Sequence, residues 1–161
     1  MEYTIVRASW FMQNFSESFF LDPILAGHVA LPQAAVQVPY VHVDDIAAVV
    51  VEALLNDAHN GEVYQLTGPF TLTFVEVIDA IAKASWREIL FSSTSLKEYV
   101  RALEQLVVPE DYVWLINYLF SNVLAAPGNN EVTDDIEKVL GRKPTDFYEY
   151  VKEAVQTGVW N

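Results

Sequence analysis

The sequence contains no cysteine at all, and this absence is the first constraint on its chemistry. Without a thiol, the chain forms no disulfide and uses no cysteine nucleophile. Basic residues are also scarce: nine lysines and arginines stand against 22 aspartates and glutamates, giving a formal net charge of -13. Such a charge repels phosphate backbones and anionic lipid headgroups. We therefore expect no nucleic-acid partner and no membrane partner.

Long apolar runs and targeting signals are missing as well. The longest apolar stretch, residues 46–55, is interrupted by Glu52 and is too short to span a bilayer. The first residues show no basic region followed by an apolar segment, so no secretory signal is visible. We expect a cytoplasmic protein.

Glycine is rare, and its spacing excludes a dinucleotide-binding loop. Such loops need closely spaced glycines at the start of a helix, and no segment of this chain provides them. The six glycines stand at positions 27, 61, 68, 128, 141 and 158. The nucleophile pattern Gly-x-Ser-x-Gly is absent too.

Two spacings resemble functional motifs, but neither predicts a site. Tyr148 and Lys152 match the Tyr-x-x-x-Lys proton-donating pair of short-chain dehydrogenases, yet they fall on the last helix, after every predicted strand. We interpret them as part of an amphipathic terminal helix. His42, Asp44 and Asp45 suggest a metal site but lack a further ligand nearby. We expect no catalytic residue and no metal.

What the chain has in excess is apolar residues, which make up 52% of its 161 residues. About 45–50% is typical of soluble domains. The length fits a single domain, residues 1–161. We interpret the excess as surface that meets another chain, either a second copy or a partner domain.

Apolar runs and turn residues predict an α/β fold with a parallel or mixed sheet. Strands are predicted at 3–6, 28–31, 38–43, 63–66 and 89–91, and helices at 10–17, 46–56, 73–84, 95–106, 109–125, 133–141 and 146–157. Residues 1–70 then form the sheet part, and residues 71–161 are mainly helical. Segments 3–6 and 63–66 and the apolar helix 46–56 are all expected to be buried.

Helix caps are predicted from side chains that accept hydrogen bonds at each start. Asp44 or Asp45 is expected to cap the helix 46–56. Thr73 and Glu76 form a capping box. Thr133 and Thr145 are expected to cap the last two helices.

The segment after the first strand is the candidate ligand site. Trp10, Phe11 and Asn14 follow that strand directly, and ligands of doubly wound sheets bind at the carboxyl ends of the strands. Two aromatic rings and an amide suit an apolar pocket with one orienting hydrogen bond. Alternatively, Trp10, Phe11 and Phe15 are simply core residues. The residues alone leave both interpretations open.

Four segments of the chain resemble, in order, the NmrA-like atypical short-chain dehydrogenases. The first runs from Tyr3 to Phe15, and the other three are residues 38–47, 64–69 and 131–135. Together they span nearly the whole chain. One departure is that Ala8 and Ser9 stand where the family usually has Pro-Gly.

The resemblance implies that the chain is the C-terminal portion of a longer fold: a truncated, doubly wound Rossmann-type sheet with a mainly helical substrate-side subdomain. The NAD(P)-binding half and the catalytic Tyr-Lys pair would lie upstream of it. Trp10, Phe11 and Asn14 would border the nicotinamide and substrate pocket. The expected function is the substrate-side portion of an NAD(P)-dependent oxidoreductase-like protein, without turnover and without cofactor binding in isolation. The alternative is a non-catalytic regulatory or protein-interaction module. The expected partners are a second copy or the nucleotide-binding half, together with a small-molecule ligand.

Overall fold

The computed structural model describes residues 2–161, and its strands form two separate parallel pairs. The strands are β1 (Ile5–Ala8), β2 (His28–Leu31), β3 (Val63–Leu66) and β4 (Leu90–Ser93). β1 pairs with β3, and β2 pairs with β4. Parallel neighbours need long crossover connections, and helices supply both of them.

Seven α-helices are present among the described residues. They are α1 (Leu21–Leu25), α2 (Val43–Leu55), α3 (Phe74–Ser85), α4 (Leu96–Gln105), α5 (Glu110–Tyr118), α6 (Asp135–Leu140) and α7 (Phe147–Gln156). Short 3₁₀ turns cover Met12–Phe15 and Asp57–His59, and α5 continues into one π turn, Leu119–Val123. No helix within residues 2–161 has the length and apolar character needed to cross a membrane. The predicted α/β fold class is confirmed.

The predicted strand at 38–43 is wrong. This segment makes only two isolated bridges, an antiparallel one from Val38 to Leu72 and a parallel one from Val41 to Phe11. The amide of Val41 donates to the carbonyl of Trp10 at 2.8 Å. Pro39 lies between the two bridges and has no N–H to continue a ladder. The segment therefore links two parts of the fold without joining either sheet.

Three of the predicted helix caps are corrected by the structure. α2 begins at Val43 and is capped by His42, whose Nδ1 accepts from the amide of Asp44 at 3.1 Å. α7 is capped by Asp146, not by Thr145. Thr133 does not cap α6, because its hydroxyl donates instead to the carbonyl of Gln65 in β3. Thr133 and the backbone amide of Thr145 are held by partners distant in sequence, Gln65 and Asp45, which a local pattern does not reveal.

The expected burial of β1, β3 and α2 is also wrong for their outer sides. Ile5 and Val63 are exposed, and in α2 the side chains of Leu54 and Leu55 are 79% and 80% exposed. Within residues 2–161, β1 pairs only with β3, so its other edge is open. We call the exposed large apolar residues of these three elements, together with Tyr3 just before β1, the open surface: Tyr3, Ile5, Val50, Val51, Leu54, Leu55 and Val63.

The main core lies on the helical side and is rich in aromatic rings. Phe15 stacks on Phe20 with ring centroids 5.0 Å apart. The C-terminal segment closes this core, because the buried indole of Trp160 donates to the carbonyl of Phe15 at 2.8 Å. Arg87 holds that segment from outside, donating to the carbonyl of Trp160 at 2.8 Å.

Candidate functional site

The carboxyl ends of β1 and β3 lie side by side at one end of their two-stranded sheet. Ala8 lies opposite Leu66 in the register, and the amide of Ser9 donates to the carbonyl of Leu66 at 2.9 Å. Ser9 also has a buried hydroxyl with no hydrogen-bond partner. In doubly wound sheets, ligands bind outside the carboxyl ends of the strands. The chain that leaves β1 here carries all three predicted site residues.

Trp10 turns into the core immediately after β1. Its side chain is 8% exposed, and its ring packs edge-on against Phe74 at 5.9 Å and Phe120 at 5.8 Å. Trp10 is therefore a core residue that packs behind the carboxyl ends of the strands.

Phe11 and Asn14 lie on the outer side of the same segment. Phe11 is 40% exposed. Asn14 is half-buried in the 3₁₀ turn, where its backbone N–H donates to the carbonyl of Phe11 at 3.3 Å. The structure thus separates the three predicted residues into one that is buried and two that solvent reaches.

Gln13 is a residue that the sequence analysis missed. Its side-chain Oε1 accepts from the amide of Val43 at 3.2 Å, at the first turn of α2. Together with the His42 cap, this bond occupies two of the amides at the start of that helix. A glutamine inside an aromatic segment, next to Asn14, was the only sequence signal that could have indicated it.

A cavity of about 520 Å³ lies beside the end of β3. It is lined by Gln65, Asn122, Val123, Ala126, Pro127, Gly128, Asn129 and Glu131. The side-chain nitrogen of Asn129 is buried without a hydrogen-bond partner. The π turn contributes part of the wall, and such turns are frequent at functional sites. The side-chain amides that line the cavity, those of Gln65, Asn122 and Asn129, can orient a polar ligand but offer no nucleophile.

The suggested metal residues have structural roles. Asp45 is fully buried, and its carboxylate accepts from the amide of Thr145 at 2.7 Å and pairs with Arg142 at 2.7 Å. His42 is held by its cap bond. Residues 2–161 contain no group of three or more His, Asp or Glu side chains placed to hold a metal ion.

Tyr148 and Lys152 line a groove of about 730 Å³ between α3 and α7. The ring of Tyr148 stacks on Phe70 with centroids 6.0 Å apart. The only ion pair in the groove joins Lys83 to Asp79 at 2.6 Å. This groove is built from helices alone and lies outside the strand ends, so its tyrosine is not positioned at the candidate site.

Two buried tyrosines are poor proton donors at neutral pH. Burial raises the pKa of Tyr150 to about 12 and that of Tyr40 well above its ordinary value. Both hydroxyls lack a hydrogen-bond partner. They contribute to packing rather than to acid–base chemistry.

Comparison with known proteins identifies relatives that are oxidoreductases. No protein-family model matches the chain. It is 31% identical to an NAD(P)H azoreductase of Xenophilus azovorans, over 94% of this chain and 52% of the relative. It is 28% identical to the uncharacterized oxidoreductase YesF of Bacillus subtilis, over 99% of this chain and 55% of the relative. The chain thus spans about half the length of the curated relatives it matches.

Solved structures show the same fold. The NADPH-dependent quinone oxidoreductase QOR2 of Escherichia coli matches with a TM-score of 0.81 at 21% identity, over 96% of this chain and 56% of that one. The triphenylmethane reductase of Citrobacter sp., complexed with NADP(H), matches with a TM-score of 0.79 at 21% identity, over 95% and 53%. The predicted resemblance to oxidoreductases is confirmed: the chain is similar to oxidoreductases over nearly its whole length and shares the Rossmann-type fold of these solved reductases.

Proposed function

We propose that this chain is the substrate-side portion of an NAD(P)-dependent oxidoreductase and has no turnover by itself. The observation that carries the proposal is the extent of the match to oxidoreductases. It covers 94% to 99% of this chain but only 52% to 55% of the two relatives. Half of each relative therefore has no counterpart here, and the cofactor loop is absent from this sequence.

The ligand-binding part of the proposal rests on the carboxyl ends of β1 and β3. Phe11 supplies an exposed ring, and Asn14 supplies an amide three residues further along the same turn. Trp10 supports this segment from the core. In the assembled enzyme, these residues would border the nicotinamide and a small-molecule substrate. The amide-lined cavity beside β3 would orient the polar end of that substrate.

The partner proposed for this function is a nucleotide-binding half. The open surface offers the free edge of β1, where a further parallel strand can pair. It also offers apolar side chains on the sheet face that α2 does not cover. Ile5 and Val63 point to that face, because they alternate along their strands with Val6 and Tyr64, which pack on the α2 side. Both features suit a strand followed by a helix, the unit that builds doubly wound sheets.

The experiment is a calorimetric titration of the isolated chain with NADPH and NADH. We expect no saturable binding in the micromolar range. Pyrophosphates are usually held by free amides at a helix start. The four longest helices, α2, α3, α4 and α7, each begin with a backbone amide bonded to their own cap. The three helices without a side-chain cap, α1, α5 and α6, carry acidic residues in their first turn, which repel a phosphate. The net charge of -13 also repels the dinucleotide.

A parallel assay follows NADPH oxidation by the chain in the presence of a quinone or an azo dye. We expect no rate above the uncatalysed one. Micromolar affinity for either cofactor, or a clear enzymatic rate, would contradict the proposal and reveal a phosphate site within this chain.

A further inference from the structure

The outer face of α5 carries two aromatic rings stacked on each other. Trp114 and Tyr118 lie one helical turn apart, with ring centroids separated by 5.6 Å and planes inclined by only 13°. The opposite face of the helix is buried through Val113 and Ile116. The stack therefore projects away from the core, with Trp114 64% and Tyr118 46% exposed.

This stack differs from every other tryptophan environment in the chain. Trp10 and Trp160 are core residues, and Trp86 is 95% exposed without a stacked aromatic neighbour. A stacked pair presents a flat, preorganised aromatic surface, because each ring limits the movement of the other. A further planar ring system can add to such a pair in an offset arrangement.

The stretch of sequence that contains the stack carries charge of one sign. Residues 102–137 contain no lysine or arginine and seven acids: Glu104, Glu110, Asp111, Glu131, Asp134, Asp135 and Glu137. Glu110 and Asp111 precede Trp114 by four and three residues, so they lie one turn away on neighbouring positions of the helix surface. Both the carboxylates and the negative faces of the rings attract a cation.

A shallow cleft adjoins this face at the start of α5. It encloses about 460 Å³ and is lined by Val108, Pro109, Asp111, Tyr112 and Leu115. Asp111 thus belongs both to the cleft and to the turn that precedes Trp114. The cleft adds apolar contact beside the carboxylate, which favours a ligand that has a broad ring system as well as a charge.

We propose that the outer face of α5 is a binding site for planar aromatic cations. The ligand stacks on Trp114 and Tyr118, and Glu110 and Asp111 supply the opposite charge. A planar anion of the same size is repelled by the two carboxylates. An aliphatic ammonium ion lacks the area needed to stack. This site is independent of the strand-end site and of the proposed oxidoreductase role.

The test is an NMR titration that follows the indole N–H signals of the four tryptophans. The probes are N-methylacridinium and 9-anthracenecarboxylate, which have similar ring areas and opposite charges. We expect the Trp114 signal to shift saturably with the cation, at an affinity at least tenfold higher than for the anion. Added salt should weaken the binding of the cation, because part of the attraction is between charges.

Three variants separate a site from general stickiness. Trp114→Ala and Tyr118→Ala should each weaken cation binding at least fivefold, and the double change Glu110→Gln with Asp111→Asn should remove the preference for the cation. Trp86→Ala is the control, because it deletes a tryptophan that is even more exposed but has no stacked aromatic neighbour, and it should change nothing. Equal binding of both probes, or equal shifts at Trp86 and Trp114, would overturn the proposal.

Discussion

Gly68 is the residue at which the backbone tolerates no side chain. A Cβ at this position would lie 2.1 Å from the carbonyl oxygen of Tyr40, and the amide of Gly68 donates to the carbonyl of Pro39 at 3.2 Å. The turn after β3 is therefore pressed against the segment that leads into α2. The absence of a Cβ allows two stretches of backbone to meet where side-chain packing alone would hold them apart.

Replacing Gly68 by Ala should lower the free energy of unfolding by about 3 kcal/mol, because two backbone segments must separate. Urea denaturation measures the change. Gly61→Ala is the control: its φ is +86°, but a Cβ there would meet nothing within 4 Å. That control should cost only about 1 kcal/mol, from the strained backbone alone. Equal losses at both positions would show that the close approach to Tyr40 is unimportant.

Tyr148 tests whether a familiar spacing has a function here. Tyr148→Phe should leave any measurable reductase activity and the melting temperature unchanged, because the ring stacks on Phe70 and its hydroxyl has no hydrogen-bond partner among residues 2–161. Lys152→Met is the companion variant and should be equally silent. Loss of a measured NADPH-dependent activity in Tyr148→Phe would mean that the groove between α3 and α7 takes part in the chemistry.

Among the elements, α3 has the most complete local specification. Thr73 accepts from the amide of Glu76 at 3.2 Å, and the Glu76 carboxylate accepts from the amide of Thr73 at 2.7 Å and from its hydroxyl at 2.8 Å. These bonds stabilise the ionised carboxylate and lower the pKa of Glu76 below 4.5. The predicted capping box is confirmed.

Removing this cap should have a cost that depends on pH. Thr73→Ala should lower the free energy of unfolding by about 1 kcal/mol at neutral pH. Since folding lowers the pKa of Glu76, its contribution is present above the unfolded pKa of about 4.5 and is lost as pH falls through the lower folded value. The difference from wild type, measured by urea denaturation, should therefore narrow below that pH. A difference that stays constant down to pH 2 would contradict a role for the carboxylate, and Glu76→Gln is the control that removes the charge.

For the whole molecule, the free edge of β1 is the feature that most favours association with another chain. We expect the isolated chain to self-associate, with a two-fold dimer as the simplest closed assembly, because unpaired strand edges and exposed apolar side chains favour contact with another chain. A stable dimer buries about 800 Å² per partner. Sedimentation over a concentration series measures this. Association should strengthen with salt, which screens the repulsion between two chains of net charge -13.

The strand edge itself can be tested with proline. The amide of Ile5 donates to the carbonyl of Glu62 just before β3, and that of Ser9 donates to Leu66 in β3, so the alternating amide of Ala8 faces the open edge. Ala8→Pro should block pairing at that edge and leave a folded monomer, whereas Arg7→Pro removes an amide on the β3 side and should lower the melting temperature. A wild-type chain that stays monomeric at high micromolar concentration would contradict self-association. A dimer that survives Ala8→Pro would place the contact elsewhere.

The sequence by itself determined the features that depend on neighbours within about four residues. The capping box of Thr73 and Glu76 closes within one turn, and the boundaries of β2 and β3 follow from short apolar runs between turn residues. The charge imbalance and the missing glycine loop are likewise properties of composition and spacing. The resemblance to NmrA-like reductases was also visible in the sequence, because the order of motifs along the chain can be recognised without knowing any contact.

Only the tertiary structure decided what depends on partners far along the chain. It placed Trp10 in the core against Phe74 and Phe120, and it turned Asp45 inward to Arg142. It also left the outer sides of β1 and α2 uncovered, although their composition predicted burial. The reason is physical: an apolar pattern records that a surface prefers to be covered, but which surface covers it is fixed only when distant segments pack together.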